Sequence, residues 1–116
     1  MRKRNKGKAL SRPKNQREAL LKSLATSLFM HGKIVTTHVK AKELRPVAEK
    51  FITRAKKKNL ANIKLLHQDL SAPVVKKLIN EIAKDFEKRP GGYTRITKMD
   101  PRKSDGTKMV VIELVK

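Results

Sequence analysis

A change in hydrophobic spacing at residues 89–92 separates the clearest helical pattern of the sequence from two segments that favour strands. Before it, apolar residues recur at steps of three and four, the pattern of an amphipathic helix. These residues are Val74, Val75, Leu78, Ile79, Ile82, Ala83 and Phe86. After it, residues 94–99 alternate in polarity and residues 109–115 are rich in β-branched side chains, so both predict strands. Because Pro90 and the paired glycines that follow it interrupt regular structure, the chain must combine helices with strands.

The first third of the sequence predicts a helix followed by a strand. The helix is expected to begin near Asn15, which stands three positions before Glu18 as in a capping box. Leucines and Phe29 then follow helical spacing up to Gly32, which can adopt the left-handed conformation that closes a helix. Residues 34–38 are short and β-branched and predict the strand.

The middle of the sequence predicts two more helices and the start of the fourth. Apolar residues at helical spacing run through residues 44–55, and Pro46 is expected to begin a new segment or to kink this one. A short third helix is expected at residues 60–70. Ser71 is expected to cap the fourth helix, with Pro73 tolerated in its first turn.

The order of these elements predicts an α+β fold in which helices pack on one face of a small sheet. A length of 116 residues fits one domain, since domains usually have ~100–200 residues. We expect residues 1–13 to form a basic arm, disordered when free, and residues 14–116 to form a single α+β globular domain.

The balance of charge indicates a polyanionic partner. Thirty Lys and Arg against ten Asp and Glu give a formal net charge of +20. Such a chain repels itself unless a polyanion neutralises it. Residues 1–17 contain eight of the basic residues and no acidic one, and such blocks commonly bind nucleic acid. The alternative is a solvated arm that has no partner.

The residues that usually carry catalysis, cofactors or metals do not form recognisable sites in this sequence. There is no cysteine, and His31, His38 and His67 lack the spacing of metal ligands, so we interpret them as surface or structural residues. No serine has a nucleophile context and no phosphate-binding loop follows Gly91-Gly92. We therefore expect no catalytic residue, no cofactor, no metal and no small-molecule substrate. No apolar run approaches the ~18 residues of a membrane span, and we expect a cytoplasmic protein.

Two basic clusters outside the arm are candidates for nucleic-acid contact. One is Lys40, Lys42 and Arg45, for which an ordinary solvated helix surface is the competing interpretation. The other joins the turn at residues 90–95 to Pro101-Arg102-Lys103. Its glycines permit close approach of the backbone, and Tyr93 and Arg95 would offer a stacking ring and a planar fork for phosphate. The competing interpretation is an ordinary turn with Tyr93 packed on the core.

Among nucleic acids, folded RNA fits this sequence best. Proteins that bind single strands usually present several aromatic side chains, and this chain has three Phe, one Tyr and no Trp. No helix-turn-helix or similar DNA-reading motif is evident. Binding dominated by phosphate contacts on a shaped surface remains. The main alternative is a basic, nucleoid-type architectural DNA-binding protein. A cationic membrane-surface protein is disfavoured because the arm has no apolar face.

Six segments of the chain occur in the order known from one protein family. They are Met1-Arg2, Ala19-Leu20-Leu21, Ile34-Val35-Thr36-Thr37, Lys40-Ala41-Lys42-Glu43-Leu44-Arg45, Gly91-Gly92-Tyr93-Thr94-Arg95-Ile96 and Ile112-Glu113-Leu114-Val115. With these segments the chain resembles the bacterial large-subunit ribosomal protein seventeen family over essentially its whole length. It departs from the family pattern at Lys3, where many members have His, and at residues 101–106, where Arg-Arg-Gly-Asp is usual.

The resemblance implies a structural ribosomal protein without catalytic activity. It implies an α+β fold with a small mixed sheet of three strands, binding to folded large-subunit ribosomal RNA near the exit of the peptide tunnel, and neighbouring large-subunit ribosomal proteins as further partners. Together with the basic clusters, it gives a set of expected RNA-binding residues. They are Arg2, Lys3, Arg4, Lys6, Lys8, Arg12, Lys40, Lys42, Arg45, Gly91, Gly92, Tyr93, Arg95, Arg102 and Lys103.

Overall fold

The helices and strands follow the apolar spacing of the sequence in the computed structural model, which describes residues 14–57 and 59–115. The predicted arm, residues 1–13, lies outside these described residues. The first half of the chain forms α1 (Lys14–His31), β1 (Lys33–Thr37), α2 (His38–Lys57) and α3 (Leu60–Asp69). The second half forms a fourth helical segment and the strands β2 (Thr94–Lys98) and β3 (Met109–Leu114).

Local signals end and begin the first helices. Gly32 adopts a φ of 83°, and its N–H donates to the Leu28 carbonyl at 2.7 Å, which closes α1 as predicted. Asn15, however, lies one residue inside α1 rather than before it, so the expected capping box is wrong. Asn59 caps α3, because its side-chain oxygen accepts from the Asn62 N–H at 2.8 Å.

Pro46 lies within α2 rather than at the start of a new segment. A proline inside a helix removes one backbone hydrogen bond and costs about 3 kcal/mol or more. Buried residues on both sides of Pro46 offset this cost, because they form one apolar face that packs into the core. These residues are Ala41, Leu44, Ala48, Phe51, Ile52 and Ala55.

The fourth helical segment changes its winding midway. It consists of α4 (Ala72–Lys77), a π-helical turn (Leu78–Ile82) and α5 (Ala83–Asp85). Pro73 lies in the first turn as predicted, but the Ser71 side chain accepts no capping hydrogen bond. Wider winding shifts the apolar stripe, so that Ile82 is 3% exposed whereas Ile79 is only partly buried against the core.

The sheet has the strand order β1-β3-β2, and both pairs are antiparallel. The expected α+β class is confirmed, but the sheet is antiparallel throughout rather than mixed. β1 and β2 do run in the same direction, since both oppose β3, yet β3 lies between them and prevents a parallel pair.

The helices cover one face of this sheet and leave the other open. Val110, Ile112 and Leu114 point from β3 into the core, where they join apolar residues of all the helices. The alternate residues of β3 pair on the open face with residues of β1 and β2, for example Val111 with Val35. α2 packs against all three strands, and its position determines which basic side chains lie beside the sheet.

Candidate nucleic-acid interface

Basic side chains from two elements hold the turn between the last helix and β2. The Lys56 ammonium, near the end of α2, donates to the Arg89 carbonyl. It also donates to the Tyr93 hydroxyl, and this second bond is 3.0 Å long. Arg89 folds back over the turn, and its Nε lies 3.3 Å from the Gly91 carbonyl oxygen and 3.2 Å from that of Gly92. These two cations therefore satisfy backbone oxygens of the protein and fix the shape of the turn.

Tyr93 is a core residue in this structure. It is 2% exposed, and its ring lies 5.1 Å from that of Phe86 at a tilt of 56°. The Lys56 ammonium lies 5.0 Å from the ring centroid, a distance suited to a cation–π contact. The expectation of an exposed stacking ring at Tyr93 is therefore wrong, and the competing interpretation, a tyrosine packed on the core, describes it.

The two glycines of the turn have different roles. Gly92 has a φ of 63°, a conformation that residues with a side chain rarely adopt, so the backbone itself requires glycine there. Gly91 has no such φ, and nothing lies within 4 Å of the position that a Cβ atom would take. Neither glycine is pressed against another part of the described chain, and the surface in front of them is open.

Arg95 projects from the open face of the sheet. Its guanidinium donates from Nε and Nη2 to Glu113 Oε1 at 3.1 and 3.0 Å, across the β2–β3 pair. The Arg95 side chain nevertheless stays 61% exposed. An exposed pair of this kind contributes little to stability, so Arg95 can remain available to an external anion.

The cluster predicted on α2 is divided between two flanks of that helix. Lys42 and Arg45 are exposed and three residues apart, on the flank that also carries Glu49. Glu49 accepts from the N–H and the hydroxyl of Thr94, and Arg45 lies 3.6 Å from the same carboxylate. This flank therefore faces β2. Lys40 is two residues from Lys42 and so lies on the other side of the helix.

The loop that joins β2 to β3 presents Arg102 and Lys103 to solvent. Asp105 organises this loop, since its carboxylate accepts from the Thr107 N–H at 3.0 Å and lies 3.5 Å from Arg102. The Thr107 backbone hydrogen bond, followed by that of the Thr107 side chain and the charge of Arg102, lowers the pKa of Asp105 below its usual 3.8. Lys103 forms no ion pair with any described residue and remains a free cation at the loop surface.

The turn and the loop lie at opposite ends of β2, so the expectation that they form one cluster is wrong. A strand of five residues at ~3.3 Å per residue separates them by roughly 15 Å. α2 spans the same distance beside the sheet, from His38 at the loop end, where its N–H donates to the Lys108 carbonyl, to Glu49 at the turn end. The predicted residues thus form two basic regions joined by the exposed flank of α2.

Lys56 and Arg89 are not among the site residues expected from the sequence, although both shape the turn. Only the folded chain brings Lys56 to Tyr93, which follows it by 37 positions. The arm residues Arg2, Lys3, Arg4, Lys6, Lys8 and Arg12 lie outside the described residues.

The described residues offer no sign of a metal or membrane-spanning element. Within residues 14–57 and 59–115, no group of three or more His, Cys, Asp or Glu side chains is placed to hold a metal ion. None of the helices in this part of the chain has the length and apolar character needed to span a bilayer.

Comparison with known proteins assigns this chain to one family. The family model described as Ribosomal protein L17 matches residues 20–115. The large ribosomal subunit protein bL17 of Clostridium acetobutylicum is 50% identical over 107 residues, which cover 91% of this chain and 94% of that protein. The bL17 proteins of a Thermoanaerobacter species and of Clostridium botulinum are 48% and 49% identical over the same share of this chain, covering 96% and 95% of their own lengths.

Proposed function

Because this chain belongs to the ribosomal protein L17 family, we propose that it binds and stabilises folded large-subunit ribosomal RNA near the exit of the peptide tunnel. As a member of the family it is a non-enzymatic component of the large subunit of the bacterial ribosome, in the cytoplasm. The position near the tunnel exit is carried over from the resemblance. Neighbouring large-subunit ribosomal proteins are further partners in the same proposal.

The observation that carries the RNA-binding proposal is the division of charge on the surface. Two carboxylates beside the basic regions are engaged within the protein, Glu49 with Thr94 and Asp105 with Thr107 and Arg102. Cations such as Lys42 and Lys103 point outward without an ion-pair partner among the described residues. The outward field is therefore positive along the α2 flank and the loop, as phosphate binding requires.

Two basic regions joined by α2 favour a folded RNA over a single strand. Each region would contact the phosphates of a different backbone segment, roughly 15 Å apart, so binding depends on the shape of the RNA. No aromatic platform is available, because all four aromatic side chains are buried. The arm, residues 1–13, adds six cations that would neutralise further phosphates.

A salt titration with matched variants tests this proposal. The full chain is titrated with large-subunit ribosomal RNA and, separately, with duplex DNA at several salt concentrations. We expect tighter binding to the RNA at physiological salt. Changing Lys42 and Lys103 to Gln should weaken RNA binding and reduce the salt slope by about 0.7–0.9 for each lost phosphate contact.

Two controls complete this experiment. The paired variant Lys64→Gln and Lys76→Gln removes equal charge from exposed positions on α3 and α4, and it should change the slope much less. Deletion of residues 1–13 should weaken RNA binding strongly while the folded domain keeps its melting temperature. Equal affinity for the duplex DNA would favour an architectural DNA-binding protein and overturn the proposal.

A further inference from the structure

A cleft of about 230 Å³ opens at the loop end of the sheet, away from the turn at residues 89–93. Three elements meet there: the end of β2, the beginning of β3 and the beginning of α2. Six side chains of the described residues line the cleft. They are His38, Lys98, Met99, Pro101, Lys108 and Met109. The sequence pattern does not relate His38 to the other five residues, which belong to the end of β2, the beginning of β3 and the loop between them.

Backbone hydrogen bonds fix the walls of this cleft in the free protein. The His38 N–H donates to the Lys108 carbonyl at 3.0 Å and joins α2 to β3. The Met99 N–H donates to the Met109 carbonyl at 3.0 Å and joins β2 to β3. The β2–β3 loop is closed by the Arg102 N–H, which donates to the Thr107 carbonyl at 2.8 Å. A ligand would therefore meet a preformed site, which lowers the entropic cost of binding.

The lining combines an apolar surface with cations. Met99, Pro101 and Met109 form the apolar part, and Met99 is 45% exposed. Lys98 and Lys108 add two ammonium groups, neither of which forms an ion pair within residues 14–57 and 59–115. None of the described carboxylates lines the cleft. An occupant therefore needs one apolar, flat part and one anionic part.

The chemistry of the cleft suits a single nucleotide, and its volume favours a small ligand. Pockets for drug-sized ligands have ~300–1,000 Å³, and this cleft is smaller. Proteins that recognise folded RNA bind unpaired bases, which stack on flat or polarisable side chains, histidine included. The Phe and Tyr rings of this chain are buried, so within this cleft the His38 ring and the methionine side chains are the surface for such a base.

We propose that this cleft binds one unpaired nucleotide of the bound RNA. The base packs against Met99, Met109 and the His38 ring, and Lys98 and Lys108 contact the adjoining phosphate. The inference rests on the proposed RNA-binding function. It adds Lys98 and Lys108, which are not among the basic residues expected from the sequence.

Chemical probing of base accessibility on large-subunit ribosomal RNA tests the site, with the full chain and its variants. Bound wild-type protein should protect the Watson–Crick edge of one unpaired base. Changing Lys98 and Lys108 to Gln should abolish that protection, lower the affinity about tenfold and reduce the salt slope by one phosphate contact, or about 0.7–0.9. His38→Ala should abolish the same protection and lower the affinity without a change in slope, because stacking releases no counterions.

The control and the contrary outcomes separate this inference from the proposed function. Changing Lys64 and Lys76 to Gln removes equal charge from α3 and α4 and should leave the protection in place. If the cleft variants bind RNA with unaltered protection and slope, the nucleotide site is wrong while RNA binding stands. If instead these variants retain RNA binding and lose a neighbouring ribosomal protein from assembled subunits, the occupant is a protein. If the wild-type chain does not bind the RNA, the proposed function fails as well.

Discussion

Replacing Tyr93 by alanine should destabilise the protein rather than remove an RNA contact. The ring is 2% exposed, and truncation of a buried aromatic side chain usually costs 3–5 kcal/mol. Loss of the Phe86 pair adds about 0.5–1.5 kcal/mol, and Lys56 loses one of its two acceptors. Since small domains have a total stability of about 5–15 kcal/mol, Tyr93→Ala should leave the chain near the limit of folding.

Tyr93→Phe keeps the ring and removes only the hydroxyl, so it is the matched control. It should cost about 0.5–1.5 kcal/mol, the net contribution of one hydrogen bond. Urea unfolding of the two variants measures both costs, and RNA binding is then corrected for the folded fraction. A Tyr93→Ala variant that keeps the wild-type stability and loses RNA affinity would contradict this prediction.

Three further substitutions or conditions follow from the same structure. Ile82→Ala should cost about 2–5 kcal/mol in a urea melt, and Ile79→Ala clearly less, since Ile79 is only partly buried; equal costs would contradict the shift of the stripe by the π-helical turn. Gly92→Ala should cost about 1–2 kcal/mol because of its left-handed backbone, whereas Gly91→Ala should leave the melting temperature nearly unchanged. Because the pKa of Asp105 is lowered, the hydrogen bond that its carboxylate accepts from Thr107 stabilises the loop above pH 3.8. This stabilisation is lost as the pH falls through the lower pKa of the folded state. An NMR titration of the Thr107 amide with a midpoint at or above pH 3.8 would contradict this.

The sequence predicted the elements well because each depends on neighbouring residues. The strands at residues 94–98 and 109–114 and the stop at Gly32 follow from spacing and backbone preference over a few positions. The order of the strands in the sheet does not follow from such local preferences, because it depends on how the helices return the chain to the sheet. Pro46 likewise shows packing that outweighs a local signal, since the buried face of α2 continues past it.

The candidate site was less predictable because the sequence does not show whether a basic side chain points to solvent or into the protein. Lys42 and Lys103 are exposed as expected, while Lys56 serves the interior of the protein and covers the ring of Tyr93. The cleft beside Lys98 and Lys108 needs His38, which is 60 positions earlier in the sequence than Lys98. Spacing along the chain carries no information on such a meeting of distant segments.

The place of β3 between the other two strands has a consequence for the order in which this chain folds. Among the described strands, β3 comes last along the chain and pairs with both β1 and β2, so Lys33 can pair with Glu113 only once a residue 80 positions later has been made. A chain still in synthesis has helices and two unpaired strand segments but no sheet. Pairings of such long range form slowly. The nascent protein therefore exposes the apolar side chains of its helices that β3 covers until that strand emerges, and this interval is when a chaperone would matter most.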